Sequence, residues 1–134
     1  MKVLVVEDDR SIQMVLELVL TRTATCEVLL ASEGREGLAM IQNRKPDIVL
    51  LDLMLPNLDG FQICEAAKAD EATRHIPIIF LTAQPQPSSI ARAMALGAAG
   101  YIVKPFDPIK IIEQINEALS RVGAASRVGK EPAA

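Results

Sequence analysis

Hydrophobic residues recur along this chain in two alternating rhythms. Short runs rich in aliphatic and β-branched side chains fall at Lys2 to Val6, Glu27 to Ala31, Ile48 to Leu51, Ile78 to Leu81 and Tyr101 to Val103, and read as strands. Between them the apolar positions take helical spacing. Ile12, Val15, Leu16 and Val19 form one stripe with Ser11 as its N-cap, and Leu38 and Ile41 belong to a second helix after Ser32. A third begins near Gly60 with Phe61, Ile63 and Cys64, and a fourth runs from Ser88 or Ser89 to Leu96 and stops at Gly97. The fifth starts at Asp107-Pro108, read as an N-cap with proline at the first helical position, and carries Ile111, Ile112, Ile115 and Leu119. Five strands alternating with five helices at such short intervals predict an α/β fold, (βα)5, a doubly wound five-stranded parallel sheet with right-handed crossovers and helices on both faces. Parallel strands cannot be joined by tight hairpins.

The pattern stops near Val122, where the sequence turns to "GAASRVGKEPAA". Residues 1–122 are therefore read as one domain, and 123–134 as a disordered tail or linker stump. Half of the 134 residues are hydrophobic, yet no apolar stretch reaches the roughly 18 to 20 residues of a membrane helix. Cys26 and Cys64 stand far apart in no metal-binding or redox spacing and read as reduced core residues, with the cytoplasm as the expected compartment. A formal net charge of −3, without a Lys/Arg cluster or interleaved aromatics, disfavours direct nucleic-acid binding by these residues.

Within that frame one residue is out of place. In "PDIVLLDLMLPNLDG" an aspartate, Asp52, ends a run that reads as a strand buried on both faces, where carboxylates are rare unless something stabilises the charge. Ligands of open parallel sheets bind beyond the carboxyl ends of the strands. The polar residues at those ends are Glu7, Asp8 and Asp9 after the first strand, Asp52 after the third, Thr82 after the fourth and Lys104 after the fifth. If the first and third strands are neighbours, their acids face one pocket. Two carboxylates about 4 Å apart repel by about 4 kcal/mol at an effective dielectric near 20, so a positive charge belongs there. Oxygen ligands open to solvent suit a hard cation such as Mg2+, and Lys104 adds a mobile charge. With a hydroxyl at Thr82, the set describes a site where a phosphoryl group is received on a carboxylate, Asp52 being the nucleophile.

These residues carry a resemblance. "VLVVEDD", "LLDLMLPNLDG", "IIFLTA" and "YIVKPF" resemble the four motifs of the receiver domain of bacterial two-component response regulators, over about Lys2 to Val122. The spacings of 44, 30 and 22 residues along Asp8, Asp52, Thr82 and Lys104 fit that family. The resemblance implies flavodoxin-like strand order 2-1-3-4-5, a fold for which a chemotaxis receiver is a standard example. It implies that Asp52 takes phosphate from a histidine kinase or histidine phosphotransfer protein, and that Glu7, Asp8, Asp52 and the Met54 backbone carbonyl hold Mg2+, or Mn2+ in its place. It casts Thr82 and Tyr101 as the switch pair, with Ala83 beside the phosphate and Lys104 in contact with it, and puts a cis peptide at Lys104-Pro105. Switching would remodel the surface of the fourth helix, fifth strand and fifth helix, read by a downstream protein partner or by self-association. Such a domain modifies only itself and is not a dedicated enzyme.

Other readings fit less well. Asp8 and Asp9 could merely begin the first helix, where acids complement the dipole. Asp59-Gly60 reads as turn and cap chemistry. His75, the single histidine, offers no metal site or relay by itself. An aspartyl phosphatase would want a second acid two residues past the nucleophile, where Met54 stands, and three Phe and one Tyr are too few to sandwich a flavin. A receiver-fold interaction module working without phosphorylation would have lost an acid or the lysine; all are present. Met54 and Gln84 are expected to flank the path of a hydrolytic water, and Ile109 is expected to be exposed, off the fifth helix's core stripe.

Overall fold

A computed structural model describes residues 1–24, 26–83 and 85–123. Gln84 and the tail beyond Gly123 lie outside the described residues. The chain alternates β1 (Lys2–Val6), α1 (Arg10–Arg22), β2 (Glu27–Ala31), α2 (Gly34–Arg44), β3 (Ile48–Asp52), α3 (Gly60–Ala69), β4 (Ile78–Thr82), α4 (Pro87–Ala95), β5 (Gly100–Val103) and α5 (Ile111–Arg121). All five strands pair in parallel in the order β2-β1-β3-β4-β5. Three expected strands extend by one residue: β5 starts at Gly100, and Asp52 and Thr82 are themselves the last residues of β3 and β4.

The near-continuous apolar runs follow from covering both faces of the sheet. Val3, Val5, Leu50, Ile79, Leu81 and Ile102 face one side with Leu16, Leu20, Ile111 and Ile115 of α1 and α5. Leu4, Val6, Val49, Leu51, Ile78 and Phe80 face the other with Ile41, Ile63 and Ala93 of α2, α3 and α4. Each fully buried Val, Leu, Ile or Phe contributes about 1.5–3 kcal/mol relative to exposure. Both cysteines are buried and free. No helix among the described residues is long and apolar enough to cross a membrane.

Three local expectations shift. Asp9, not Ser11, caps α1, its Oδ1 accepting the Ser11 and Ile12 N–H groups at 2.8 and 3.2 Å. The buried side of α1 takes in Gln13 and Leu20, while Val15 lies at the exposed edge. Asp107 caps a turn instead of α5, accepting the Ile109 N–H on its side chain and the Lys110 N–H on its carbonyl, both at 2.9 Å. The helix itself begins at Ile111. Ile109 sits in this turn at 89% exposure.

Candidate functional site

Strand register brings the acids together. Val6 pairs with Leu51, so Glu7 and Asp52 emerge side by side at the carboxyl ends of neighbouring strands. Glu7 is fully buried, Asp52 is buried and Asp8 is exposed. One carboxylate oxygen from each of Glu7, Asp8 and Asp52 lies within 4.8 Å of the others. Lys104, one residue past β5, is held by its N–H to the Thr82 carbonyl at 2.8 Å. Its Nζ reaches Glu7 Oε1 at 2.5 Å and Asp52 Oδ2 at 3.3 Å.

The second carboxylate oxygens of Glu7 and Asp52 are tied to backbone. Glu7 Oε2 accepts the Asp9 N–H at 3.0 Å, and Asp52 Oδ1 accepts the Met54 N–H at 3.1 Å. Glu7 Oε1 is different: it lies close to the lysine as an ion pair, yet it is buried without an aligned hydrogen bond. Burial pushes Glu7 up to about 7, against the pull of Lys104 and the Asp9 N–H, with the Asp52 charge adding to the rise. Burial draws Lys104 down, but its contacts with Glu7 and Asp52 outweigh this and hold it above the usual lysine value. Three hard oxygen donors, one of them on a buried carboxylate, fit a divalent cation.

Gly60 lets α3 start against this corner, since a Cβ there would lie 2.7 Å from the Asp52 carbonyl oxygen. Asp59 caps α3 through a reciprocal capping box with Gln62, the role its sequence suggested. Thr82 is buried at the end of β4, Ala83 follows it exposed, and the Met54 side chain is 79% exposed. Tyr101 on β5 is 39% exposed, and a hollow of about 10 Å3 lies between it and Phe80, Thr82, Ile90 and Ala93. The Lys104-Pro105 peptide is cis. His75 precedes β4, at the opposite end of the sheet, and is exposed.

One residue escaped the sequence reading. Gln13 is 2% exposed, and its Nε2 donates to the Glu7 carbonyl at 2.5 Å and to Ser32 Oγ at 3.1 Å. It braces the segment that carries the acids. A polar residue three before Leu16 on a buried stripe was the available signal, since a buried amide needs partners.

The sequence model of the response regulator receiver domain matches residues 3–116. The chain belongs to this family. Among curated receiver-containing proteins it is 36% identical over 121 residues to the phosphate regulon transcriptional regulatory protein PhoB of Pseudomonas aeruginosa, covering 90% of this chain and 52% of that protein. It is 34% identical over 120 residues to the DNA-binding response regulator MtrA of Mycobacterium tuberculosis, covering 90% and 51%. The solved structure of the chemotaxis response regulator CheY4 of Vibrio cholerae superposes with a TM-score of 0.82 at 33% identity, covering 88% of this chain and 98% of that one. The chain spans about half the length of the curated relatives it matches. The DNA binding in MtrA's name and the transcriptional regulation in PhoB's describe those longer proteins. Receiver domains have this strand order, so the flavodoxin-like topology and the family resemblance agree.

Proposed function

We propose that this receiver is a phosphoacceptor switch in a two-component phosphorelay. The observation that carries the reading is the cluster of Glu7, Asp8 and Asp52 within 4.8 Å, with Lys104 paired to Glu7 and Asp52. Glu7, Asp8, Asp52 and the Met54 carbonyl would hold Mg2+, or Mn2+. Bound there, the cation supplies positive charge against the negative charge on the transferring phosphoryl oxygens.

Asp52 attacks phosphorus with a carboxylate oxygen as the bond from phosphorus to the donor breaks, which leaves an aspartyl phosphate. The Met54 N–H fixes one oxygen of Asp52 and so orients the other. Lys104 turns from Asp52 to the phosphoryl oxygens, and the Thr82 hydroxyl donates to one of them. The donor is a phosphohistidine on a kinase or phosphotransfer protein. The domain modifies itself and turns over no external metabolite.

The readout lies on α4, β5 and α5, where a downstream protein or a second copy would bind. The hollow between Tyr101 and Thr82 holds about 10 Å3, roughly one water, so the Tyr101 ring enters only if α4 and its preceding loop yield. α4 is lightly held: it buries Ala93 alone and lacks a side-chain cap, although the Arg92 guanidinium, 4.2 Å from the centre of the Phe61 ring, tethers it to α3. Tyr101 on β5 and Ile109 before α5 are both exposed apolar side chains. In the test, a small phosphodonor is incubated with the protein, with Mg2+ or with a chelator, and intact mass is followed. One phosphoryl group per chain is expected with Mg2+ and none with chelator; labelling that ignores the chelator, or no labelling in either, contradicts the proposal.

A further inference from the structure

The loop between β3 and α3 carries Met54 and bends more tightly than an ordinary turn. The Leu58 N–H donates to the Pro56 carbonyl at 2.9 Å around Asn57, whose φ is +70°. An i to i+2 bond around a positive φ is the rarer and strained hand of γ-turn. Asparagine visits positive φ more readily than most residues, but the conformation persists only where its surroundings enforce it.

Here the enforcement comes from another element. Glu33 is the N-cap of α2, and its two oxygens point in two directions. Oε1 accepts the Glu36 N–H and Oε2 accepts an N–H of the Asn57 side chain, each at 2.5 Å. Beside it the Gly34 N–H donates to the Pro56 carbonyl at 3.3 Å, and a Cβ on Gly34 would sit 1.8 Å from the Leu58 carbonyl oxygen. The Asn57 hydrogen bond first, then the Glu36 N–H, hold the half-buried Glu33 carboxyl below the usual glutamate value. Glutamate is not among the preferred N-caps, which are the shorter Ser, Thr, Asp and Asn. A residue needed only to cap α2 would be short; the longer side chain spans to Asn57 as well.

We propose that Glu33 is a positioning residue for the cation site. Through Asn57 it fixes the β3–α3 loop, and with it the Met54 carbonyl three residues earlier. This rests on the reading that the Met54 carbonyl and the three acids bind Mg2+. The link also joins the start of α2 to the site, alongside the bond from Gln13 to Ser32 on the same connection.

The test measures Mg2+ affinity by calorimetry, thermal melting, and the Met54 amide resonance of the metal-free protein. It compares wild type with Glu33→Ser, Asn57→Gly and Asp8→Asn. Serine keeps a cap for α2 but cannot reach Asn57; glycine relieves the positive φ while deleting the amide. Both should displace the Met54 resonance and weaken Mg2+ about tenfold, the low end for partners outside the ligand shell. Asn57→Gly should do so with no loss of melting temperature, which separates the effect from lost stability. If both variants bind Mg2+ as tightly as wild type while Asp8→Asn binds weakly, Glu33 only caps its helix and the inference is overturned. If Asp8→Asn binds as wild type does, or wild type does not bind, the cation reading itself fails.

Discussion

Glu7 is the residue whose chemistry is most altered by its position. It is fully buried at the end of a central strand, its cation partner Lys104 is shared with Asp52, and burial lifts it to about 7 from 4.5. Between those values the folded protein holds a proton that the unfolded chain has released. The resulting stability is fully present below about pH 4.5 and is lost as pH rises through about 7. In chelator, the wild type should therefore lose stability between about pH 4.5 and 7 on a slope of up to about 1.4 kcal/mol per pH unit, and level off above, relative to a Glu7→Gln variant. Urea unfolding at several pH values reads this out. Parallel curves for the two proteins would show that Glu7 does not titrate there. Sequence alone could name Glu7 as a strand-end acid, but its burial depends on Lys104 and on neighbours across two strands. Gln13's role was hidden for a related reason: its position on the buried stripe hinted that it is buried, but its partners, the Glu7 carbonyl and Ser32, lie on other elements.

At the scale of elements, strand and helix order was legible because apolar spacing changes sharply between periods. The ends of helices were less so. Ser11 is a good cap by type, yet Asp9 holds the position, since two N–H groups converge on its carboxylate. The Asp107-Pro108 pair looks like a helix start, yet Asp107 satisfies a turn and α5 waits until Ile111. The alternative roles of Asp8 and Asp9 thus separate: Asp9 caps a helix, and Asp8 belongs to the acid cluster. Asp9→Ala should lower stability by about 1 kcal/mol, as for lost N-caps, and leave Mg2+ affinity near wild type, because its N–H still reaches Glu7. Asp8→Asn should do the reverse, with Mg2+ binding weakened on the order of tenfold as ligand charge is lost. A denaturant melt and a metal titration on each variant decide it. Equal loss of affinity in both would mean that the cluster is held by general electrostatics instead of by defined ligands.

For the whole molecule, alternation dictated a parallel sheet, but strand order came from the family resemblance; the chain's rhythm does not say where the winding reverses. That reversal puts β1 between β2 and β3, and so sets Glu7 and Asp8 against Asp52. The sheet's geometry, more than any single motif, builds the acid corner with Lys104 arriving from β5 two strands away. The central claim is that this corner makes Asp52 the phosphoacceptor. The most direct measurement is to label the protein with a phosphodonor and Mg2+, reduce it with borohydride, which converts an aspartyl phosphate to homoserine, and map the altered residue by peptide mass spectrometry. Conversion at Asp52, and none in Asp52→Asn, is the predicted result. Modification at Asp8, His75 or a hydroxyl residue, or undiminished labelling of Asp52→Asn, would contradict it.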